Sequence, residues 1–328
     1  MRQVITEIRN DKKLIFLIVA IITAGEFITV VPFMFTNSNE YTDYYVTTLP
    51  RAFACDLDEF PDNRSPIKWY LHCLSFQLTG YANAFLIPFA PACLPLAYLL
   101  GYYMTNDRLI GLLTISALIY NPLYKDWTTT GTYDQVWTFF ILLSLVLLFR
   151  NKTVASFGSY IVAAFAKSFS LAFFPMWLYT IYEVKKNRDY LIVFLLIGGL
   201  GLSMILYFGL VEKLVGSPVG FYSENTDQAI VDNIGLFWKI IPALAIVASL
   251  NLQFKTQAKI PNMRLVGIWL TSFFIMTPLI HLFSMQGTYG YRYVLLGVFM
   301  SILIGMTIVK LGNWYVEKKL MPSTKSAY

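Results

Sequence analysis

Charge is scarce in this chain. Only 13% of its 328 residues are Asp, Glu, Lys or Arg, about half the share of an ordinary soluble domain. Cysteine is scarcer still: Cys55, Cys73 and Cys93 are the whole supply, too few for a disulfide framework. The two histidines, His72 and His281, stand apart, and no CxxC or HExxH occurs, so the sequence offers no metal site of the usual spacing. It offers no glycine-rich phosphate loop either: "GGLGLS" (198–203) lies inside an apolar run, where close helix packing is its natural role. The net charge of +6 invites a nucleic-acid partner, but the cations are dispersed with no basic stripe. Soluble-domain composition, low-complexity tracts and internal repeats are also missing.

What is there is apolar. Hydrophobic residues make up 57% of the chain, in runs too long and continuous for the alternating strands of a membrane barrel. Because only helices and closed barrels satisfy their own backbone in lipid, the chain reads as an all-α, polytopic integral membrane protein, a single transmembrane domain over 1–328. At about 20 residues per span, helices are expected near 14–35, 82–104, 108–121, 134–149, 153–166, 169–184, 190–210, 234–253, 265–284 and 291–311, about ten in all.

Charge orients these spans. Placing the N-terminus in the cytoplasm puts most of the 25 basic residues inside, among them Lys12, Lys13, Arg108, Arg150, Lys185 and Lys186, as the positive-inside rule requires. The carboxylates fall outside, and the densest group lies in the first outer loop, 36–81. Its segment "EYTDYYVTTLPRAFACDLDEFPDNRSP" (40–66) carries Glu40, Asp43, Asp56, Asp58, Glu59 and Asp62. Cys55 and Cys73 share this outer side, where an oxidising compartment would allow them to pair. The segment "SPIKWYLHCLSFQLTG" (65–80) follows, with apolar residues at Ile67, Leu71, Leu74 and Leu78 and with Lys68 near its start. That spacing predicts an amphipathic helix in the outer interface, or else the beginning of the second span.

Charged groups within spans are costly, so each invites a functional question. Glu26 lies deep in the first span, either hydrogen-bonded to a neighbouring helix or catalytic. Lys167 sits in "AAFAKSFS", between two short apolar segments on the outer side, and either snorkels or binds an anion. Arg292, in "GTYGYRYVLL", opens the last span among tyrosines, as a belt residue or as a planar clamp for phosphate oxygens. Asp43 stands a few residues beyond the first span, with Glu40 before it and Tyr44 and Tyr45 after it. A carboxylate at headgroup depth can take a proton from a hydroxyl nucleophile, and Lys167 and Arg292 can stabilise a departing phosphate.

"EYTDYYVTTLPRAF", followed by "NRSPIKWYL" with its Arg64 and Lys68, resembles the first outer loop of the GT-C superfamily of polytopic glycosyltransferases. The wording is most similar to the first mannosyltransferase of GPI-anchor synthesis and its relatives, and "VASFGSYIVAAFAKSFSLAFFPMWLY" adds a similar short helix pair. The mannosyltransferase pattern has a second acid two residues after the first, where this chain has Tyr45. The resemblance implies a GT-C-like fold and an inverting transferase with its active site on the extracytoplasmic face. Asp43 is then the base, a polyprenyl-phosphate-linked sugar the donor, and a glycan, lipid or protein the acceptor, with no cofactor and no obligatory metal. The stretch 134–175 also resembles Wzy- or EpsG-like polysaccharide polymerases, and the short 153–166 and 169–184 segments admit a transporter.

Overall fold

The computed structural model describes residues 11–35, 55, 66–125, 128–129, 134–186, 195, 198–199, 244, 247–248, 261–284 and 293–320. These residues form helices and turns, with no strand among them. The helices are α1 (Lys12–Met34), α2 (Pro66–Thr79), α3 (Phe89–Thr105), α4 (Arg108–Ile119), the single turn α5 (Pro122–Lys125), α6 (Asp134–Phe149) and α7 (Thr153–Ala166). A 3-10 helix over Ser168–Phe173 then leads into α8 (Phe174–Lys185), and α9 (Met263–Ser284) and α10 (Val294–Leu320) follow.

Two of these helices are long and apolar enough to cross a membrane, Lys12–Met34 and the Val294–Val316 part of α10, with 23 residues each. They sit in opposite surroundings. α10 is central, packed on α4, α9 and α5. α1 leans on α3 and leaves Phe16 and Ile28 at 75% and 70% exposure.

Local signals start and stop the helices. Asp11 accepts hydrogen bonds from the Lys13 and Leu14 amides (2.9 and 3.0 Å), satisfying the orphan donors at the start of α1. Asn106 ends α3 in the left-handed conformation (φ 55°), and Asp107 immediately caps α4 through Leu109 N (3.0 Å). Gly80 does the same for α2 at φ 76°, where a glycine pays no steric penalty; α2 is thus a separate helix rather than the start of the second span. The expected span from 82 begins as a helix only at Phe89. The turns before it are tied to α2: Ser75 Oγ donates to Tyr81 O (2.6 Å), and Phe85 N donates to Ser75 Oγ (3.2 Å). The expected spans 190–210 and 234–253 fall almost entirely outside the described residues.

The helices alternate in direction between two ends of the bundle. Arg108, Arg150, Lys152, Lys185 and Lys186 lie at one, the basic end. Side-chain hydroxyls stitch the interior, where bare polar groups would be costly. Ser159 Oγ donates to Phe140 O (2.8 Å) and Ser144 Oγ to Ser156 O (2.7 Å), joining α6 to α7. The buried indoles are satisfied too: Trp177 Nε1 donates to Ser144 Oγ (2.8 Å) and Trp269 Nε1 to Thr180 Oγ1 (3.0 Å). Trp137, Phe173, Trp269 and Phe299 stack successively at centroid distances of 6.4, 6.3 and 5.0 Å, so one aromatic column binds α6, the 3-10 helix, α9 and α10.

α3 and α4 approach through glycines. A Cβ at Gly111 would lie 2.8 Å from the Tyr98 carbonyl oxygen, and one at Gly101 would lie 2.7 Å from Thr114 Oγ1. Since backbone must shift to admit it, Gly111→Val is expected to destabilise the protein by about 1–3 kcal/mol. Thermal unfolding in detergent reads this directly, and an unchanged melting temperature would contradict the packing. Gly198, in the "GGLGLS" stretch, has a similar neighbour: a Cβ there would meet the Phe174 ring at 2.9 Å.

Candidate functional site

The short helices create the site. At 1.5 Å per residue, the 12 residues of α4 rise about 18 Å from the basic end and the 14 residues of α7 about 21 Å. Both stop well short of the roughly 30 Å of a bilayer's hydrocarbon core. Glu26, partway along α1, reaches a similar level, about 21 Å from Lys12. By length, the ends of α4 and α7 and the position of Glu26 thus define a layer about 18–21 Å from the basic end.

On one side of that layer Asn121 closes α4 and starts α5. Its Oδ1 accepts from Leu123 N (3.0 Å), and its Nδ2 donates to Gly297 O of α10 (3.4 Å). The next turn is pinned to α3 by Tyr124, whose hydroxyl donates to Ala90 O (2.9 Å). Lys125 is exposed beyond it, close enough to Glu26 for the two charges to interact. Cys93 is buried one turn along α3, its thiol directed at Gln135 O (3.8 Å), as a small core residue.

On the other side α7 breaks at Lys167. This residue has extended backbone (φ −157°, ψ 115°) between the last turn of α7 and the 3-10 helix. It is 4% exposed, so its side chain is enclosed by protein and does not run along the surface as a snorkelling lysine would. Trp137 and Phe173 pack on Phe169 just after it, at centroid distances of 5.7 and 5.5 Å. Tyr160 of α7 donates to Ser170 O at 2.5 Å, holding the 3-10 helix against α7.

α2 packs beside α7 and is turned against its own composition. His72 and Ser75 are fully buried, while Tyr70, Leu74 and Leu78 stand 51%, 48% and 67% exposed along one face. His72 Nδ1 lies 3.2 Å from Ala82 O, a contact in which the carbonyl can only accept. The expected apolar row is thus divided: Ile67 and Leu71 pack on the core, and Leu74 and Leu78 face outward with Tyr70. Cys55 and Cys73 form a disulfide with a Cα–Cα distance of 5.2 Å, fastening the acidic loop to α2. That alters one premise. Asp56 directly follows an anchored residue, so closeness to a fixed element no longer distinguishes Asp43 from the "CDLDEF" carboxylates.

Of the expected site residues, Lys167 is described in full and Lys68 only as part of the α2 backbone. Glu40, Asp43, Tyr44, Tyr45, Asp56, Asp58, Arg64 and Arg292 lie outside the described residues. Arg292 directly precedes Tyr293, which is fully buried at the start of α10, four residues before the glycine that receives Asn121. Asn121 and Lys125 escaped the sequence reading. The "YNPLYK" turn after an unusually short span was the available signal for both. Among the described residues no three His, Cys, Asp or Glu side chains are grouped to hold a metal. Neither a protein-family model, nor a curated protein, nor a solved structure matches the chain.

Proposed function

We propose that the chain is a membrane-embedded glycosyltransferase that moves a sugar from a polyprenyl-phosphate donor to an extracytoplasmic acceptor. One observation carries the proposal: a lysine enclosed by protein, at a break between two helices each too short to cross a bilayer. A buried ammonium is a cation to which an anion is drawn, and a lipid phosphate is an anion that reaches such a depth laterally. The ten-span arrangement with a cytoplasmic basic end belongs to the same proposal, and the apolar outer face of α1 supports it.

In the proposed reaction, Asp43 takes the proton from an acceptor hydroxyl as its oxygen attacks the anomeric carbon. The bond from that carbon to the phosphate oxygen breaks, and polyprenyl monophosphate leaves with the electron pair. Attack opposite the leaving group inverts the anomeric centre. Lys167 and Arg292 stabilise the charge developing on the phosphate, and Arg292 contributes a bidentate grip that a lysine could not reproduce. Glu40, Tyr44, Tyr45, Arg64, Lys68, Asp56 and Asp58 support substrate, with α2 lying in the outer interface on its Tyr70–Leu74–Leu78 face.

The break after α7 also suits a transporter with discontinuous spans. Donor chemistry separates the two. With the purified protein in liposomes, a transferase splits a labelled sugar from its polyprenyl phosphate, whereas a transporter carries the labelled lipid across intact.

Sidedness is tested on the native protein. Disulfides persist in oxidising compartments and are rare in the cytosol, so Cys55 and Cys73 should resist alkylation in acid-quenched cells until a reductant is added. Free thiols at both positions without reductant would put the loop on the cytoplasmic side and remove the outward active site.

A further inference from the structure

We propose that Glu26 of α1 is a proton-binding site within the membrane, with the Lys125 ammonium as its counter-charge. The site rests on the reading of α1 as a span and not on the transferase chemistry above. Residue spacing puts the carboxylate on the inward side of that helix. Ile15, Val19 and Val30 are the buried residues of α1, and Ile22 packs against the core beside them. Glu26 stands four residues after Ile22 and four before Val30, and residues so spaced share one helix face. It is the face by which α1 leans on α3, and there Glu26 is half-buried. Phe27 and Ile28, turned the other way, are 39% and 70% exposed.

No close partner neutralises the carboxylate. Among the described residues the Glu26 side chain makes neither a hydrogen bond nor an ion pair, and the Lys125 ammonium acts on it from a distance. The titratable groups at this level on the elements packed around α1 are Tyr124 and Lys125 of α5 and Cys93 of α3. Tyr98, Tyr102 and Tyr103 of α3 gather with Arg108 of α4 toward the basic end. Two of the three near groups are committed elsewhere: the Tyr124 hydroxyl donates to Ala90 O (2.9 Å), and the Cys93 thiol points at Gln135 O (3.8 Å). That leaves Lys125. One turn before Glu26, Thr23 Oγ1 is buried with no hydrogen-bond partner among the described residues, so this flank of α1 is dry. An apolar setting favours the neutral carboxyl, and a nearby ammonium favours the carboxylate. Between the two, the group can bind and release a proton, a role that ionisable residues inside spans serve. The charged form draws α1 toward the α5 turn, which Asn121 and Tyr124 fix to α10 and α3. The protonated form weakens that hold.

The test uses the full-length protein in nanodiscs, with dicyclohexylcarbodiimide as a membrane-soluble reagent for protonated carboxyls and a water-soluble carbodiimide as the control. Peptide mass spectrometry locates the adducts. Glu26 should be modified by the membrane-soluble reagent, less so as pH rises, and hardly at all by the water-soluble one. Glu26→Gln should lose the adduct. In Lys125→Gln the fall in labelling should move upward by about one pH unit, because the cation that favoured the carboxylate is gone. No adduct at Glu26 at any pH, or one that does not vary with pH, would overturn the proton site. A profile unmoved in Lys125→Gln would overturn the pairing with Lys125. Equal modification by the water-soluble reagent would put Glu26 in water and overturn the reading of α1 as a span along with the site. Labelling is read without any sugar donor, so a failure of the transferase reading would leave each of these results as it stands.

Discussion

Asp43→Asn is expected to lower sugar transfer by about two to four orders of magnitude while donor binding is kept. The substitution nearly preserves shape and removes only the group proposed to accept the proton from the acceptor hydroxyl. Asp58→Asn is the comparison that gives the result meaning. The Cys55–Cys73 disulfide anchors the residue next to Asp56 to α2, so tethering alone does not single out Asp43. What favours Asp43 is its position just beyond the first span in "EYTDYYV", where the GT-C resemblance puts the base. Transfer from a labelled polyprenyl-phosphate sugar should therefore fail in Asp43→Asn and survive with a small loss in Asp58→Asn. The reverse pattern, in variants shown to fold, would move the base to the anchored segment.

Lys167→Gln is expected to weaken donor binding about ten- to hundredfold, the loss typical of a hydrogen bond to a charged group. Glutamine retains length and a donor but not the charge, so the change isolates electrostatics from shape. The effect should concentrate in donor affinity, because in the proposed site the lysine contacts the phosphate in both the ground state and the transition state. The melting temperature of the free protein is read alongside, so that a loss of fold is not mistaken for a loss of binding. A variant with full donor affinity would leave Lys167 as a structural residue at the helix break and remove the main support for the proposed function.

Much of the helical framework was legible from residue pattern alone. The expected segments 134–149 and 153–166 coincide with α6 and α7, and 14–35 lies within two residues of α1, because long apolar runs bounded by Asn, Asp, Lys and Arg punctuate themselves. The amphipathic segment 65–80 became α2, opened by Pro66 and closed by Gly80. Its orientation was not legible. Burial of His72 and Ser75 depends on the carbonyls of Tyr81 and Ala82 that receive them, and those sit beyond a turn whose direction periodicity does not encode. The same bonds explain why "YANAFLIP", apolar enough for a span, is instead a series of turns before α3.

The candidate site was legible in part, for a related reason. A lysine in an apolar run announces itself, so Lys167 stood out. Asn121 and Lys125 were hidden by depth. In sequence they belong to a loop; only the shortness of α4 brings that loop to the level of Lys167 and Glu26.

The central claim is most directly tested by giving the purified protein, in liposomes, a monosaccharide label on polyprenyl monophosphate and, separately, an oligosaccharide label on polyprenyl diphosphate. Each is supplied with extracted membrane glycans and lipids as acceptors. The account predicts that the monophosphate donor alone is consumed, releasing one polyprenyl monophosphate for each glycosidic bond formed and inverting the anomeric configuration. Consumption of the diphosphate-linked oligosaccharide instead would make the protein a polymerase, and movement of either lipid across the bilayer with its sugar still attached would make it a transporter; either result would contradict the account.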